Sequence, residues 1–550
     1  MKTCLLLAGT ALAVLATPAE AQRTRQITPY IEVGQVLTAD LDGPNGDVLT
    51  YTSLAAGVDA SIQTSRIEVQ MNYRFEKRIG WGEDVADSAI HSGLARAALR
   101  LNPGLNIEGG ALATRARDDI RGAAPGNLAG NVSNVSQLYS AYVGPTYATR
   151  VGETTVNAAY RFGYTKVEQP SLPAFLPGQP QLDNYDSSTN HMAVASVGAR
   201  AGAYLPIGFT FSGAWEREDV SQLDQRYDGK YLRADTVLPV TGTFAVTAGL
   251  GYENIEISQR DALVDATGAP VQDNNGRFVT DPTSPRRLSY ETDGLFWDAG
   301  VMWRPSSRTS LTARVGRRYD TMTYVGSFSH QVSSRTGLNI GVYDSIDSVG
   351  RGLSDTLAAL PTSFVTTNDA FGDQFNGCVF GAQGTAASGG EADDGIATGT
   401  QGTGACLTPL LGSLTTASFR SRGITGVLST SAGPWGIGLG LGYANRKFLV
   451  PNAGPSSILA NTNDDIYFGQ FNVNRTLTAR SNIGADLFFN YFDPGVANAP
   501  GVVGAGANTS YSYSFGRLGA TASVGVFTFD QDQLGSDVSG QALLGMRYSF

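Results

Sequence analysis

Residues 66–76 read RIEVQMNYRFE. Ile67, Val69, Met71, Tyr73 and Phe75 alternate without a slip against Arg66, Glu68, Gln70, Asn72, Arg74 and Glu76. Successive side chains of a β-strand point to opposite faces, so this segment has one apolar face and one charged face. A soluble sandwich strand alternates too, with its apolar face on a core and the other in water. The choice between lipid and protein core as the apolar neighbour rests on how often the pattern recurs, how the segments are joined, and what stands at the two ends.

Composition narrows the choice. Of 550 residues only 16% are charged, with 67 Gly, 23 Tyr and 24 Phe against 3 Cys, 6 Met and 3 His. That profile suits many strands rich in small residues and aromatics better than a string of helical domains. The formal net charge of −10 argues against a nucleic-acid partner, which would need a basic face. The first 21 residues, MKTCLLLAGTALAVLATPAEA, carry Lys2, an apolar stretch from Leu5 to Ala16 and the small-x-small Ala19-Glu20-Ala21. This is the pattern of a secretory signal peptide cleaved before Gln22. Beyond it no apolar run approaches the ~20 residues of a membrane-spanning helix.

The last segment, QALLGMRYSF, sets Ala542, Leu544, Met546, Tyr548 and Phe550 on one face and Gln541, Arg547 and Ser549 on the other. Leu544, Met546, Tyr548 and the terminal Phe550 resemble the C-terminal signal strand of bacterial outer-membrane proteins. That resemblance implies the barrel-assembly machinery as a partner.

A membrane barrel pairs every backbone donor and acceptor between strands and reads as segments of ~10 alternating residues joined by turns. RPSSRTSLTARVG (304–316) and NRTLTARSNIGADLF (474–488) show the recurring unit, a short polar stretch with Arg-Thr feeding a strand. Ten tight hairpin turns are expected near residues 63, 102, 151, 204, 241, 306, 335, 432, 479 and 518. With a first strand over about 28–41 and a last over about 539–550, they predict an all-β, closed antiparallel transmembrane barrel of about 22 strands (range 20–24). The remaining connections, near 117–135, 168–189, 257–288, 351–413, 450–464 and 493–507, are long and rich in Gly, Pro, Asn, Asp and Ser. Short turns on one rim and long loops on the other are the mark of such barrels, with the short turns periplasmic. Ile67 to Phe75 then face lipid. One barrel domain over 22–550 follows, embedded in outer-membrane lipid and lipopolysaccharide.

Parity assigns Arg66, Glu68, Arg74, Arg96, Arg100, Arg161, Arg314 and Arg318 to the lumen face, since a charge at mid-membrane on the lipid face costs ~2–4 kcal/mol. Two readings stand. The arginines line a pore favouring anionic or hydroxyl-rich solutes, or they pair with Glu68, Glu76 and similar acids in a structural network. In WGIGLGLGY (435–443) the inward column is Gly436, Gly438, Gly440 and Gly442, which leaves room for a neighbouring loop or eases curvature. The 351–413 connection holds Cys378 and Cys406, 28 positions apart and suited to a disulfide. Ser354 is placed to cap a short helix over Asp355–Leu360 that Pro361 ends. This loop either folds inward as a constriction or caps the barrel from outside. The acidic pairs and clusters, Asp118-Asp119 and Glu391, Asp393, Asp394, lack fixed ligand spacing, so no metal site and no cofactor is expected.

An enzyme needs a nucleophile with a base in reach. The three histidines, His91, His191 and His330, fall on three separate predicted strands, and no G-x-S-x-G, H-E-x-x-H, Walker A or C-x-x-C is present. An N-terminal plug like that of TonB-dependent transporters is not expected, because about six residues separate the signal from the first strand. Three stretches, ITPYIEVGQVLTADL (27–41), NDAFGDQFNGCVFG (368–381) and FRSRGITGVLST (419–430), resemble the outer-membrane porin-like β-barrel proteins associated with exopolysaccharide-export loci in Gram-negative bacteria. The resemblance implies a solute channel, polysaccharide or its fragments as cargo, and export components as partners. A plugged structural or adhesive barrel, and an outer-membrane hydrolase, are the alternative functions.

Overall fold

The computed structural model describes residues 24–42, 48–81, 88–118, 135–168, 183–364, 377–381, 404–412, 414–452, 459–496, 499–531 and 535–550. The expected signal peptide lies outside them, as do Asp119, Glu391, Asp393 and Asp394.

A first strand, β1 (Thr24–Asp40), is followed by hairpins joined through short connections: β2 (Val48–Gln63) with β3 (Ile67–Gly80), β4 (Ser88–Asn102) with β5 (Leu105–Arg117), β6 (Val135–Val151) with β7 (Thr154–Glu168), β8 (Ser187–Ala199) with β9 (Gly208–Val220), β10 (Arg226–Pro239) with β11 (Phe244–Gln259), β12 (Arg287–Ser306) with β13 (Thr309–Arg318), and β14 (Thr321–Ser333) with β15 (Thr336–Asp347). Then come helix α1 (Val349–Ala359), a small hairpin β16 (Cys378–Phe380) and β17 (Gly404–Cys406), and the single turn α2 (Thr408–Leu411). The wall resumes with β18 (Ser418–Ala432) and β19 (Trp435–Leu449), β20 (Asn463–Thr478) and β21 (Ser481–Asp493), β22 (Val502–Phe515) and β23 (Leu518–Gln531), and the last strand β24 (Gly535–Ser549).

Twenty-two of these strands form one sheet in which each pairs antiparallel with its neighbours in the chain, β15 pairing with β18. Tyr30–Asp40 of β1 pair with Ser539–Ser549 of β24, and the ring closes without an edge. Each of the ten expected tight turns falls at or beside an observed one. Turn chemistry explains the match: Gly433, between β18 and β19, has φ 58°, a conformation that costs glycine little.

The opposite rim is less uniform than the sequence suggested. β13 and β14 are joined there by Tyr319 and Asp320 alone, with φ of 54° and 59°. This is the backbone of a two-residue hairpin turn made without glycine. The wall is therefore low at that point.

Parity sorts the side chains. Outside, a continuous apolar girdle includes Leu54, Phe211, Leu250, Leu295, Leu441, Val524 and Leu544, all exposed. Inside, the same strands carry Asn72, Glu76, Glu253, Ser510 and Ser523, all buried. One arc departs from this rule. On β4–β9, Leu94, Leu112, Leu138, Val167 and Val220 face inward and are buried, and what covers them is α1.

Candidate functional site

Helix α1 lies inside the barrel. Val349, Leu353 and Leu357 are wholly buried and form one core with the inward leucines of β4–β6, with Val167 and with Tyr142. Ser348 caps the helix, its hydroxyl accepting from the Arg351 N–H at 3.2 Å. The helix therefore begins earlier than the Ser354 cap expected from sequence. Ser354 instead sits mid-helix, where its hydroxyl takes a hydrogen bond from the Asn190 amide at 3.0 Å. Leu360 ends the helix and Pro361 follows, as expected.

The wall supplies charges that match the helix dipole. At the positive N-terminal end, the Glu218 carboxylate accepts from the Ser348 hydroxyl. At the negative C-terminal end, Arg96 donates to the Leu360 carbonyl at 3.2 Å and the Ala358 carbonyl at 3.0 Å. Between them Arg161 pairs with Asp355. Arg351, 5% exposed, points back from the helix over the Tyr227 ring at 3.4 Å. Its guanidinium stands 3.4 Å from Glu216 and 3.8 Å from both Glu218 and Asp347, and it donates to the Ile346 carbonyl at 2.8 Å.

Beyond α1 the chain runs down the inner face of β3, the strand of the opening stretch. Thr362 donates to Glu68 at 3.0 Å, and the Gln70 amide bonds the Phe364 backbone in both directions, at 2.6 and 3.0 Å. The excursion continues on the far wall. Cys378 and Cys406 form a disulfide and pair directly across the small hairpin. A Cβ at Gly440 would fall on both sulfurs, and one at Gly438 on the Phe380 ring. The glycine column thus makes room for the loop, the first of the two readings given above.

The eight inward candidates separate into three groups. Arg96, Arg161 and Glu68 hold the excursion. Arg74, Arg314 and Arg318 are committed to wall networks: Arg74 to Glu32 at 3.0 Å and to Glu76, Arg314 to Asp235 at 3.3 Å, and Arg318 to Glu253 at 2.7 Å. Arg66 and Arg100 are exposed at the short-turn rim, joined by a backbone bond from the Arg100 N–H to the Arg66 carbonyl. They stand at the mouth instead of within the lumen. Sequence reasoning missed Arg351, Glu216, Glu218 and Asp355. The signal that could have found their setting is the run of apolar residues at inward parity on β4–β7.

On the arc the excursion leaves uncovered, a cavity of about 400 Å³ is lined by Tyr30, Glu32, Asp59, Arg74, Arg480 and Arg547, with hydroxyls of β20–β22. Over the long-loop rim, Leu223, Ala262 and Phe278 form a small core. There the Asp183 carboxylate accepts from the Phe278 N–H at 2.9 Å, the Gln222 amide at 2.7 Å and the Asn184 N–H at 3.0 Å. Burial outweighs these bonds and pushes Asp183 up to about 7.

The three histidines sit at outward parity among aromatics. Their Nδ1 atoms meet the hydroxyls of Tyr73 (2.6 Å), Tyr160 (2.7 Å) and Thr309 (2.8 Å). The outward face of β24 carries Leu544, Met546, Tyr548 and Phe550, and the Phe550 N–H reaches the Pro29 carbonyl at 3.0 Å. Among the described residues no group of His, Cys, Asp and Glu is arranged to hold a metal.

No protein-family model and no curated protein matches the chain. Solved structures that resemble it include the ferric-catecholate import receptor Fiu of E. coli K12 in its open form (12% identity, TM-score 0.43, 95% of this chain and 81% of that one). The ferric enterobactin receptor PfeA of Pseudomonas aeruginosa (10%, 0.39, 94% and 80%) and the siderophore receptor PirA of Acinetobacter baumannii (10%, 0.39, 95% and 80%) are others. At such identities and scores the likeness carries no argument about cargo.

Proposed function

We propose that this chain is an outer-membrane solute channel held shut by its own loop. The observation that carries the reading is α1 docked across one arc of the lumen, with a polar cavity left beside β20–β24 and β1–β3. An apolar girdle around a closed ring with a wet interior is what a bilayer requires of a β-protein. The long loops then face the exterior, the girdle meets lipid and lipopolysaccharide, and the β24 face is what the barrel-assembly machinery engages. Residues 348–417 act as the constriction. Because Arg74, Arg314 and Arg318 are neutralised by wall acids, the walls favour hydroxyl-rich solutes over free anions. Polysaccharide fragments, the cargo implied by the resemblance, and export components as partners fit that lining.

The wholly buried core around α1 also favours a second reading, a structural barrel that never opens. Planar-bilayer recordings separate the two. The channel reading expects small or rare conductance steps from the intact protein and large stable steps once residues 348–417 are replaced by a two-residue turn. A correctly folded deletion variant that conducts no better than the intact protein would establish the structural reading.

A further inference from the structure

The outer face of β12–β15 carries a groove of about 550 Å³. Its floor is made of three small residues at outward parity. Ala313 pairs with Gly326 across one ladder and with Val301 across the other, and Ala299 pairs with Val315. Larger side chains, among them Leu311, Tyr324 and Phe328, form the sides, and the lining is almost wholly apolar. The volume falls within the ~300–1,000 Å³ of small-molecule sites. Left unfilled, such a groove would forfeit dispersion contacts along its length, so a component of the bilayer lies in it.

The strand beneath fixes its depth. β13 has 10 residues, Thr309–Arg318, close to the ~9–11 that a tilted strand needs to cross the hydrocarbon. Leu311, Ala313 and Val315 therefore span the middle, and the next outward position, Arg317, stands at head-group level on the long-loop rim. Trp297 of β12 and Met322 of β14 are its ladder partners. Trp297 and Tyr324 are exposed, as aromatic residues are at a membrane interface.

Arg317 is exposed and, among the described residues, forms no ion pair. Other outward cations of this rim are matched: Lys166 by Asp186, Arg217 by Asp219 and Lys230 by Asp228. The acids of the adjoining strands are engaged elsewhere, Asp344 with Arg420 and Arg422, and Asp293 with the Tyr252 hydroxyl. Asp320, exposed in the turn, makes no ion pair with Arg317. At the other end of the groove Thr309 and His330 satisfy each other at 2.8 Å, and the exposed Arg308 and Arg335 lie beyond them in the short turns. Lipid tails are as apolar as the groove, so burial alone does not choose its occupant. The head group does, and a free guanidinium is suited to phosphate, which it meets with two parallel hydrogen bonds.

We propose that this groove binds lipopolysaccharide of the outer leaflet, with one acyl chain along Ala313 and Gly326 and a lipid A phosphate on Arg317. This goes beyond the channel reading. It uses only the orientation given there, long loops outward, and holds whether or not the lumen opens.

The experiment titrates the full-length protein in detergent, its fold checked by heat-modifiable migration, with three probes: bis-phosphorylated lipid A, its dephosphorylated form, and phosphatidylglycerol. Bound lipid is counted by native mass spectrometry. Arg317→Gln, Arg317→Lys and Ala313→Phe stand beside the wild type, all three changes lying on the outer face. The wild type is expected to hold lipid A about tenfold or more tighter than either other lipid. Arg317→Gln is expected to lose about tenfold, the worth of one charge-assisted hydrogen bond. Arg317→Lys keeps part of that affinity, and Ala313→Phe, which fills the groove and leaves the charge, also weakens lipid A. Unchanged lipid A binding in both Arg317→Gln and Ala313→Phe overturns the proposal. So does tighter binding of phosphatidylglycerol, which would assign the groove to the inner leaflet, and so does a wild-type dimer that Ala313→Phe disperses, which would assign it to a second copy. Conductance plays no part in these readouts. A silent barrel that selects lipid A loses the channel and keeps the site, whereas a conducting barrel that holds all three lipids alike loses the site and keeps the channel.

Discussion

Arg351→Met tests how the stopper is held. The guanidinium is buried, lies on the Tyr227 ring, and stands within 3.8 Å of Glu216, Glu218 and Asp347. Removing one partner of such a buried network typically costs about 3–5 kcal/mol, because uncompensated charge stays behind. Against that, Val349, Leu353, Leu357 and Leu360 are each no more than 1% exposed, and full burial of such side chains contributes about 1.5–3 kcal/mol apiece. Apolar docking of roughly 6–12 kcal/mol therefore survives the substitution, and the helix is expected to remain docked most of the time. What changes is the rare state. A loss of about 3–5 kcal/mol raises the undocked fraction by about 10²- to 10³-fold or more. In a planar bilayer this appears as a hundredfold or greater rise in opening frequency with unchanged step size. Adding Glu216→Gln and Glu218→Gln removes the stranded charge and restores most of the closed time. Arg351→Met with wild-type gating and wild-type exchange protection over 349–359 would refute the assignment of the cluster as a latch.

Four further outcomes are expected. Reducing the Cys378–Cys406 disulfide, or Cys406→Ser, removes loop-closure stabilisation of roughly 3–4 kcal/mol for 28 residues; proteolysis between β16 and β17 accelerates while heat-modifiable migration of the barrel stays unchanged, and equal protease resistance in reduced and oxidised protein would contradict this. Gly440→Val places side-chain atoms where the two sulfurs now pack, so the small hairpin leaves the wall and the conductance step grows, whereas an unaltered step would show that the hairpin is not seated there. Asp183, pushed up to about 7, keeps its full contribution to loop docking below pH 4 and loses it progressively as pH rises through 7; exchange protection of the Phe278 amide should be greater at pH 5.5 than at pH 8.5, with the difference lost in Asp183→Asn. Val524→Arg, on the outer face midway along β23, is expected to lower folding stability in vesicles by about 2–4 kcal/mol, and a denaturant titration showing no loss would argue against lipid at that face.

The ring was legible because two local codes agree on it. Period-two alternation of the kind in 66–76 fixes which face meets the apolar medium, and turn residues such as Gly433 mark where the chain reverses. Neither code depends on distant parts of the chain. The stopper was only half legible. Its disulfide followed from two cysteines in one long loop, but of its helix only the later part, from Asp355 to the stop at Pro361, followed from local signals. Val349-Gly350-Arg351-Gly352 carries two glycines, poor helix formers, and reads as loop. Those glycines are needed by the packing: a Cβ at Gly350 would collide with the Ser188 hydroxyl and Glu218, and one at Gly352 with Leu410. Tertiary fit overrides propensity there. The turn at Tyr319–Asp320 was missed for a related reason, since Tyr319 is not a residue that its left-handed backbone ordinarily selects, and Asp320 alone is a weak turn signal without a glycine beside it.

The ends of the excursion through the lumen have a consequence for the evolvability of the molecule. Asp347, where the chain leaves the wall, and Phe419, just after it returns, are ladder partners on adjacent strands. About seventy residues are thus inserted at a single hairpin corner, like a cassette clipped into a frame. Its length and contents can be exchanged without shifting the register of any strand, so relatives with the same frame are free to carry stoppers of quite different size, chemistry and trigger.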